Sequence, residues 1–433
     1  MRPLQGATFK VLGIAALALL MLIPLAQVND LIGEREGRAR EATQKIAERW
    51  GAQQLVGAPV LVVPVRWQEV RERTVAQGMA PIKELTTVEE REYLLADRVA
   101  MVGKLGPDIR KYGIYETAVY TAELQVEGRF MASEIAALAA PGVEPQWQRA
   151  ELRVPIADVR GIRRISTLHF GDRELTFAPS GGGVANVGAV GAPAPLDADK
   201  LGETLPFSFT LTLAGTERLA VLPLARETNL HLTSPWPDPG FDGAFLPASR
   251  HVGASGFDAD WQVLDLNRKL AQHWRESDAP GALSEMSFGI TLTQPAGSYQ
   301  QNVRAGKYGV LFIALTFVAF FLFEVLRGLR LHPVQYLLIG LALCTFYVVL
   351  LALSEQIGFG PAYAVAAGCV VAMIGGYAGV VLAARCAGLV LGALVAVIYG
   401  LLYGLVVSED YALLMGSLAL LAAVAALMYL TRR

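Results

Sequence analysis

Cysteine is scarce in this chain of 433 residues, which contains only Cys344, Cys369 and Cys386. All three fall in or at the edge of apolar stretches near the C-terminus. The polar middle of the chain, from Asp30 to Lys307, contains none, which excludes a disulfide framework for that region. At roughly 275 residues, the region is long enough to bury an ordinary hydrophobic core without cross-links.

Charge is also limited: charged residues make up 18% of the chain, and the formal net charge at pH 7 is −2. So small a net charge gives no support for a nucleic-acid partner or an acidic substrate. We therefore expect no nucleic-acid binding.

Catalytic motifs are missing as well. The five histidines are not spaced as H-E-x-x-H or as another dense metal motif, and neither S-x-x-K nor G-x-S-x-G occurs. The glycine-rich stretch Ser180–Gly183 lacks the lysine of a phosphate-binding loop. His251, which lies near Asp258 and Asp260, is interpreted as an ordinary exposed or hydrogen-bonded histidine. We assign no catalytic residue, cofactor site or metal site, and the sequence favours a non-enzymatic protein over an enzyme.

Long apolar runs lie at the two ends of the chain. One occupies 11–28, and five follow at 308–326, 334–353, 362–384, 387–407 and 411–430. Each is close to the ~20 residues that a spanning helix needs. The sequence therefore predicts an α + β membrane protein with six transmembrane helices, one N-terminal and five C-terminal. A large β-rich domain lies between the first helix and the second.

Basic residues at the ends of these runs predict the sidedness. Under a six-span topology one side carries Arg2, Lys10, Arg327, Arg330, Arg385, Arg432 and Arg433. Arg304 and Lys307, at the end of the large domain, are minor exceptions, since long loops translocate largely regardless of charge. The loops on the other side carry Glu355, Glu409 and Asp410 and no lysine or arginine. The positive-inside bias then places both termini in the cytoplasm and the large domain in the periplasm of a bacterium, with the protein in the inner membrane.

The first apolar run fits either an uncleaved anchor or a signal peptide. Cleavage is disfavoured because Pro24-Leu25-Ala26 puts proline where a small residue is wanted, and Asp30–Trp50 continues with helical character. The predicted domains are an anchor at 1–29, a periplasmic β-rich domain at 30–306 and a five-helix bundle at 307–433.

The polar region is dominated by strand patterns. Alternation or β-rich composition predicts strands at Val60–Trp67, Thr117–Phe130, Pro206–Leu213, Asn229–Thr233 and Met286–Thr293. The stretch 179–200 is rich in Gly, Ala and Pro and predicts a flexible linker. The region is therefore expected to form two β-rich lobes, at 51–178 and 201–300.

An aromatic, proline-rich segment, Ser234–Arg250, contains Trp236, Phe241 and Phe245. It is either a rigid recognition loop or an irregular crossover whose aromatic side chains fix it to a sheet. We keep these three residues as candidate functional residues.

Two carboxylates in the apolar runs are further candidates. Glu324 lies near the predicted cytoplasmic end of the second span, where it either forms an interfacial ion pair with Arg327 or serves a function inside the membrane. Glu355 lies at the outer end of the third span. Three small-xxx-small pairs, Gly375/Gly379, Gly388/Gly392 and Gly400/Gly404, predict close helix packing in the last three spans.

Several motifs resemble the CreD family of inner-membrane proteins over essentially the whole chain. They are Leu55–Pro59 with Val63–Val65, Gly113–Tyr115 with Val119-Tyr120, Asp158 with Arg160–Ile162, Ser234–Pro247, Gly256-Phe257 with Trp261, and an ordered set of residues from Ala314 to Glu355. One departure is Gln356, where the family commonly has histidine, and it argues against proton handling there.

The resemblance implies an inner-membrane protein associated with envelope integrity, colicin tolerance and a two-component stress regulon. Our leading hypothesis is a non-catalytic protein whose periplasmic domain binds an envelope component or a membrane protein partner. The alternative is a transporter or a lipid-handling membrane enzyme that uses the bundle around Glu324. A third, modulation of a membrane sensor kinase, follows from the resemblance alone. The lipid bilayer is the one partner that the apolar runs themselves require.

Overall fold

The computed structural model describes residues 3–73, 82–197, 201–281, 283–293, 298–327, 332–381, 385–408 and 412–431. The chain divides into two compact units. One comprises Met1–Arg40 and Ala296–Arg433 and is called the membrane unit; the other is Glu41–Pro295 and is called the β unit. The division falls inside a helix, later along the chain than the predicted limit at 29.

The helices are α1 (Pro3–Leu20), α2 (Leu22–Trp50), α3 (Ala132–Ala137), α4 (Ser298–Arg327), α5 (Pro333–Ile357), α6 (Phe359–Val381), α7 (Arg385–Val407) and α8 (Ala412–Thr431). Within the described residues, five helical stretches are long and apolar enough to cross a membrane: Leu12–Trp50, Tyr299–Glu324, Pro333–Ile357, Phe359–Val381 and Cys386–Val407. The predicted mixed α + β membrane protein is confirmed. Helix α8 covers the sixth apolar run, but several of its side chains lie outside the described residues, so a sixth span stays a prediction.

Close backbone contact joins α6 and α7. A methyl group on Gly388 would lie 2.6 Å from the carbonyl oxygen of Gly375 and 2.6 Å from the Cα of Gly379. The first two predicted small-residue pairs therefore face each other, as their spacing indicates. Gly404 instead approaches a side chain, that of Met415, and a methyl group on Gly400 would meet nothing within 4 Å.

Three sheets form the β unit. The nine-stranded sheet contains β4 (Ala96–Tyr112), β5 (Tyr115–Phe130), β8 (Ile162–Ile165), β9 (Leu168–Phe170), β10 (Arg173–Leu175), β13 (Leu205–Thr216), β15 (Ala225–Ser234), β17 (Ser249–Gly253) and β18 (Gly256–Leu264). The seven-stranded sheet contains β2 (Val60–Arg73), β3 (Ile82–Leu94), β6 (Val143–Pro145), β7 (Glu151–Pro155), β11 (Ala178–Pro179), β12 (Ala189–Pro193) and β19 (His273–Arg275). The four-stranded sheet contains β1 (Gln54–Gly57), β14 (Arg218–Leu222), β16 (Pro239–Gly243) and β20 (Phe288–Leu292). All five predicted strands coincide with strands of these sheets.

Alternation explains why these strands form. In β5 and β13, buried and exposed side chains alternate over most of their length, and the two strands pair antiparallel from Leu205/Phe130 to Thr216/Val119. Their inward side chains join one hydrophobic core that also includes residues of the seven- and four-stranded sheets, among them Leu152 and Phe288.

The pairing differs from the predicted two lobes. In the nine-stranded sheet, β13 pairs with β5 and β15 pairs with β4, so strands from both sides of the predicted linker share one sheet. The linker itself supplies β12, which pairs with β7. Its small residues suit a tightly packed strand: Ala192 is fully buried, and Gly191 leaves room for the carboxylate of Glu151. The small side chains of this stretch led us to predict a flexible linker, but in the structure they permit close packing of a strand.

Candidate functional site

Glu324 is buried in the membrane unit, with 4% of its surface exposed. Its carboxyl oxygen accepts a hydrogen bond of 2.9 Å from the Tyr336 hydroxyl, which joins the end of α4 to the start of α5. The side chain of Arg327, its predicted ion-pair partner, lies outside the described residues. Burying a carboxyl group among spanning helices is costly, so this hydrogen bond is part of what makes the position tolerable.

Glu355 lies at the other end of the same helix pair. The Tyr299 hydroxyl donates to it at 2.8 Å, and Arg35 lies 3.8 Å away. Between Tyr299 and Glu324, α4 rises by roughly 37 Å. The two candidate carboxylates therefore do not belong to one site.

The predicted aromatic residues of Ser234–Arg250 pack onto the β unit. The Trp236 indole N–H donates to the carbonyl oxygens of Thr293, at 3.1 Å, and Asp238, at 3.2 Å. The Phe241 ring lies 5.8 Å from the ring of Trp261, and Phe245 lies 6.0 Å from Phe288. These contacts agree with the crossover interpretation, because the rings pack against side chains of the four-stranded and nine-stranded sheets.

A pocket of about 370 Å³ in the β unit was missed by sequence reasoning. We call it the glycine-loop pocket. Its wall includes Arg91, Tyr93, Arg153, Gly181–Gly183, Asn186 and Glu276. Strands β3 and β7 supply the first three residues, while the glycines belong to the stretch between β11 and β12.

Arg153 is the central group of this pocket, with only 3% of its surface exposed. Its Nε donates to Glu151 at 2.9 Å, and its Nη1 donates to the Gly183 carbonyl at 3.1 Å and to the Tyr93 hydroxyl at 3.3 Å. A methyl group on Gly182 would lie 3.1 Å from Nη1, so a larger residue there would press on the guanidinium. A buried arginine held in this way is preorganised rather than mobile.

Two further groups give the pocket its polar character. Arg91 forms an ion pair of 3.1 Å with Glu276. Tyr93 stacks on Trp274 with ring centroids 5.7 Å apart, and burial raises the pKa of Tyr93, so that its hydroxyl stays protonated at neutral pH. Each arginine has one carboxylate partner, Glu276 for Arg91 and Glu151 for Arg153, and of these two carboxylates Glu276 lines the pocket. The arrangement suits binding of a polar, anionic group, whereas no residue pair in its lining has the nucleophile–base geometry of an acyl-transfer site.

A second polar cluster, around Asp158, has a structural character. Its carboxylate accepts hydrogen bonds from the Ala52 N–H at 3.0 Å, the Arg160 N–H at 3.1 Å and the Arg160 Nε at 2.9 Å. The Arg160 guanidinium, together with these two backbone donors, holds the pKa of Asp158 below its usual range. Gln54, which is buried, bridges the carbonyls of Asp158 and Ala214. The motif Asp158-x-Arg160 therefore fixes local backbone geometry.

Taken together, apolar helices long enough to cross a bilayer and a β unit with its own core define a multi-pass membrane protein with a large water-facing part. A family model described as inner membrane protein CreD matches residues 6–433. The chain is also 34% identical to the inner membrane protein CreD of Escherichia coli (strain K12) over 430 residues, and this alignment covers 98% of the present chain and 92% of the E. coli protein. The chain therefore belongs to the CreD family of inner membrane proteins, which confirms the resemblance seen in its motifs.

Proposed function

We propose that this protein supports envelope integrity and the envelope stress response by non-catalytic binding of an envelope component through its β unit. The observation that carries the proposal is the glycine-loop pocket, where buried Arg153 and the nearby Arg91 line a cavity of about 370 Å³. The proposed ligand is a polar molecule with an anionic group, because guanidinium, hydroxyl and amide donors, from Arg91 and Arg153, Tyr93 and Asn186, line the cavity.

The topology proposed with this function has six membrane crossings and both termini in the cytoplasm. The β unit then faces the periplasm, where envelope components are accessible. Support comes from the distribution of Lys and Arg at the ends of the apolar runs. A reporter inserted near residue 180 is expected to be active only in the periplasm, and activity on the cytosolic side would overturn both topology and ligand class.

Binding is tested with full-length protein in detergent and two probes, soluble peptidoglycan fragments and lipopolysaccharide. Saturable binding of one probe is expected. Arg91→Gln is expected to weaken it by about tenfold or more, the effect of losing one charge-assisted hydrogen bond. Gly182→Ala is expected to weaken it as well, because its methyl group would displace the Arg153 guanidinium. Lys111→Gln is the control, because Lys111 forms an exposed ion pair with Glu116 and is not part of the pocket. Failure of both probes to bind, or equal binding by all variants, would contradict the proposal.

A second candidate function, transport or lipid handling by the bundle, is favoured by an apolar groove in the membrane unit. This groove, of about 570 Å³, is lined by side chains of α1 and α4, among them Ala18, Ala314 and Phe321. Its size and composition suit an acyl chain, and Glu324 follows Phe321 by one helical turn. Glu324→Gln discriminates: loss of envelope function at normal protein level supports this candidate, and full function rejects it.

A further inference from the structure

Three neighbouring strands at one end of the nine-stranded sheet carry a group of metal-ligating side chains. The strands are β15, β18 and β17, in that order. In the antiparallel register, His231 lies opposite Asp260, and Asp258 lies opposite His251. Directly opposed residues have Cβ atoms about 4.5–5.5 Å apart and point to the same face. Asp258 and Asp260 are two positions apart on one strand, so all four side chains share a face.

The side-chain atoms already converge. His231 Nδ1 lies 2.8 Å from Asp260 Oδ1, and its Nε2 lies 3.5 Å from Asp258 Oδ2. One ligand atom from each of the three residues lies within 4.8 Å of the other two. Three ligand atoms held about 2.0–2.2 Å from one tetrahedral zinc ion lie roughly 3.3–3.6 Å from one another, so the separations seen here are of the right order. Coordination of one ion requires His231, whose two ring nitrogens now face different carboxylates, to release one of these contacts and turn a single nitrogen toward the ion.

The charges of the cluster favour a cation. Among the described residues, the ion pairs formed by Asp258 and Asp260 are those with His231. The two carboxylates thus share a single imidazole as their ion-pair partner. The Ser249 hydroxyl donates to the second oxygen of Asp260 at 2.8 Å, which orients the carboxylate. The carboxylate of Asp260 is therefore held in place by its neighbours, as second-shell partners hold a metal ligand.

We propose that His231, Asp258 and Asp260 form a zinc-binding site on the β unit, with His251 as the fourth ligand. The mixture of imidazole nitrogen and carboxylate oxygen suits zinc better than calcium or magnesium, which take oxygen ligands. The bound ion cross-links β15, β18 and β17, and so stabilises the end of the sheet, where β17 pairs with β18 alone among the described strands. The site is separate from the glycine-loop pocket and does not depend on the function proposed for it.

The test uses full-length protein in detergent, freed of metal with a chelator and titrated with zinc chloride in a calorimeter. One saturable site is expected, together with a zinc-dependent rise in Tm. His231→Ala and Asp258→Asn are each expected to weaken binding by at least about tenfold, the size that loss of an outer-shell partner alone produces. His169→Ala is the matched control, because His169 lies on β9 of the same sheet and pairs with Glu174.

Cobalt substitution tests the ligand set directly, since its visible absorption depends on the ligands and their geometry. His251→Ala is expected to change the cobalt spectrum and to weaken zinc binding. An unchanged spectrum and affinity would remove His251 from the site. Absence of saturable zinc binding by the unmodified protein, or equal affinity in His231→Ala, would overturn the proposal. All variants should have the same Tm in chelator as the unmodified protein, which shows that they fold.

Discussion

The membrane unit and the β unit treat polar side chains in different ways. In the membrane unit, the described hydrogen bonds between α4 and α5 lie near the ends of the helices: Tyr336 donates to Glu324 at one end, and Tyr299 and Asn302 donate to Glu355 and Ser354 at the other. In the β unit, charged groups form a lined pocket and a surface cluster. Polar groups in the first unit join helices, whereas several of those in the second line a pocket or share one face of a sheet. We therefore propose that binding takes place in the β unit.

The largest effect is expected from Gly388→Ala in α7. Its new methyl group would lie 2.6 Å from backbone atoms of α6, so the helices must separate, at a cost of about 3 kcal/mol. Gly400→Ala, in the same helix, is the matched control, because a methyl group there meets nothing within 4 Å and improves helix propensity. Thermal unfolding of both variants in detergent measures the difference. Equal Tm values would show that close α6–α7 packing does not govern the stability of the membrane unit.

Tyr336→Phe is expected to have the next largest effect. The change removes the 2.9 Å hydrogen bond to buried Glu324, at a cost of about 1.5–3 kcal/mol for a hydrogen bond to a charged group and less for a neutral one. Tyr403→Phe is the control, since Tyr403 is 40% exposed. The Tm in detergent is the measurement. If Tyr336→Phe leaves Tm unchanged but abolishes envelope function, Glu324 has a functional role and the contrast between the two units fails.

Asp158→Asn tests a polar group of structural type within the β unit. The pKa of Asp158 is lowered in the folded state. The stability that its charge contributes is therefore fully present above the unfolded-state pKa of about 3.9, and it is lost as the pH falls through the folded-state pKa. We expect the variant to lose about 1–2 kcal/mol at pH 7, because Asn cannot reproduce the charge-assisted bonds to Arg160.

The pH dependence of that loss is the decisive measurement. The difference in Tm between the unmodified protein and Asp158→Asn should be constant from pH 7 to about pH 5 and should shrink below about pH 4. A difference that persists undiminished at pH 3 would mean that the Asp158 charge does not contribute. Lys111, which forms an exposed ion pair with Glu116, offers Lys111→Gln as a control with little effect at any pH.

The sequence predicted what depends on local composition. Apolar length predicted the five helices that are long and apolar enough to span a membrane, and alternation predicted β5 and β13. The cost of a carboxylate in an apolar run singled out Glu324, which is buried and whose function stays a prediction. The glycine-loop pocket was not predictable in this way, because Tyr93 and Arg153 meet only through the strand order β7-β2-β3. Periodicity within a strand shows which face is buried, but it does not specify which strand lies beside it.

The smallest effect is expected from Trp236→Phe, which addresses the two interpretations of Ser234–Arg250. Phenylalanine keeps an aromatic ring but loses the N–H that donates to Thr293 and Asp238, at a cost of about 1 kcal/mol. If the segment is a crossover fixed by its aromatic rings, the free energy of unfolding falls by that amount, which lowers Tm, and binding of the envelope probe is unchanged. If the segment is a recognition loop, binding weakens more than stability does. Because Trp236 lies outside the glycine-loop pocket, the second outcome would place a separate binding surface on the β unit.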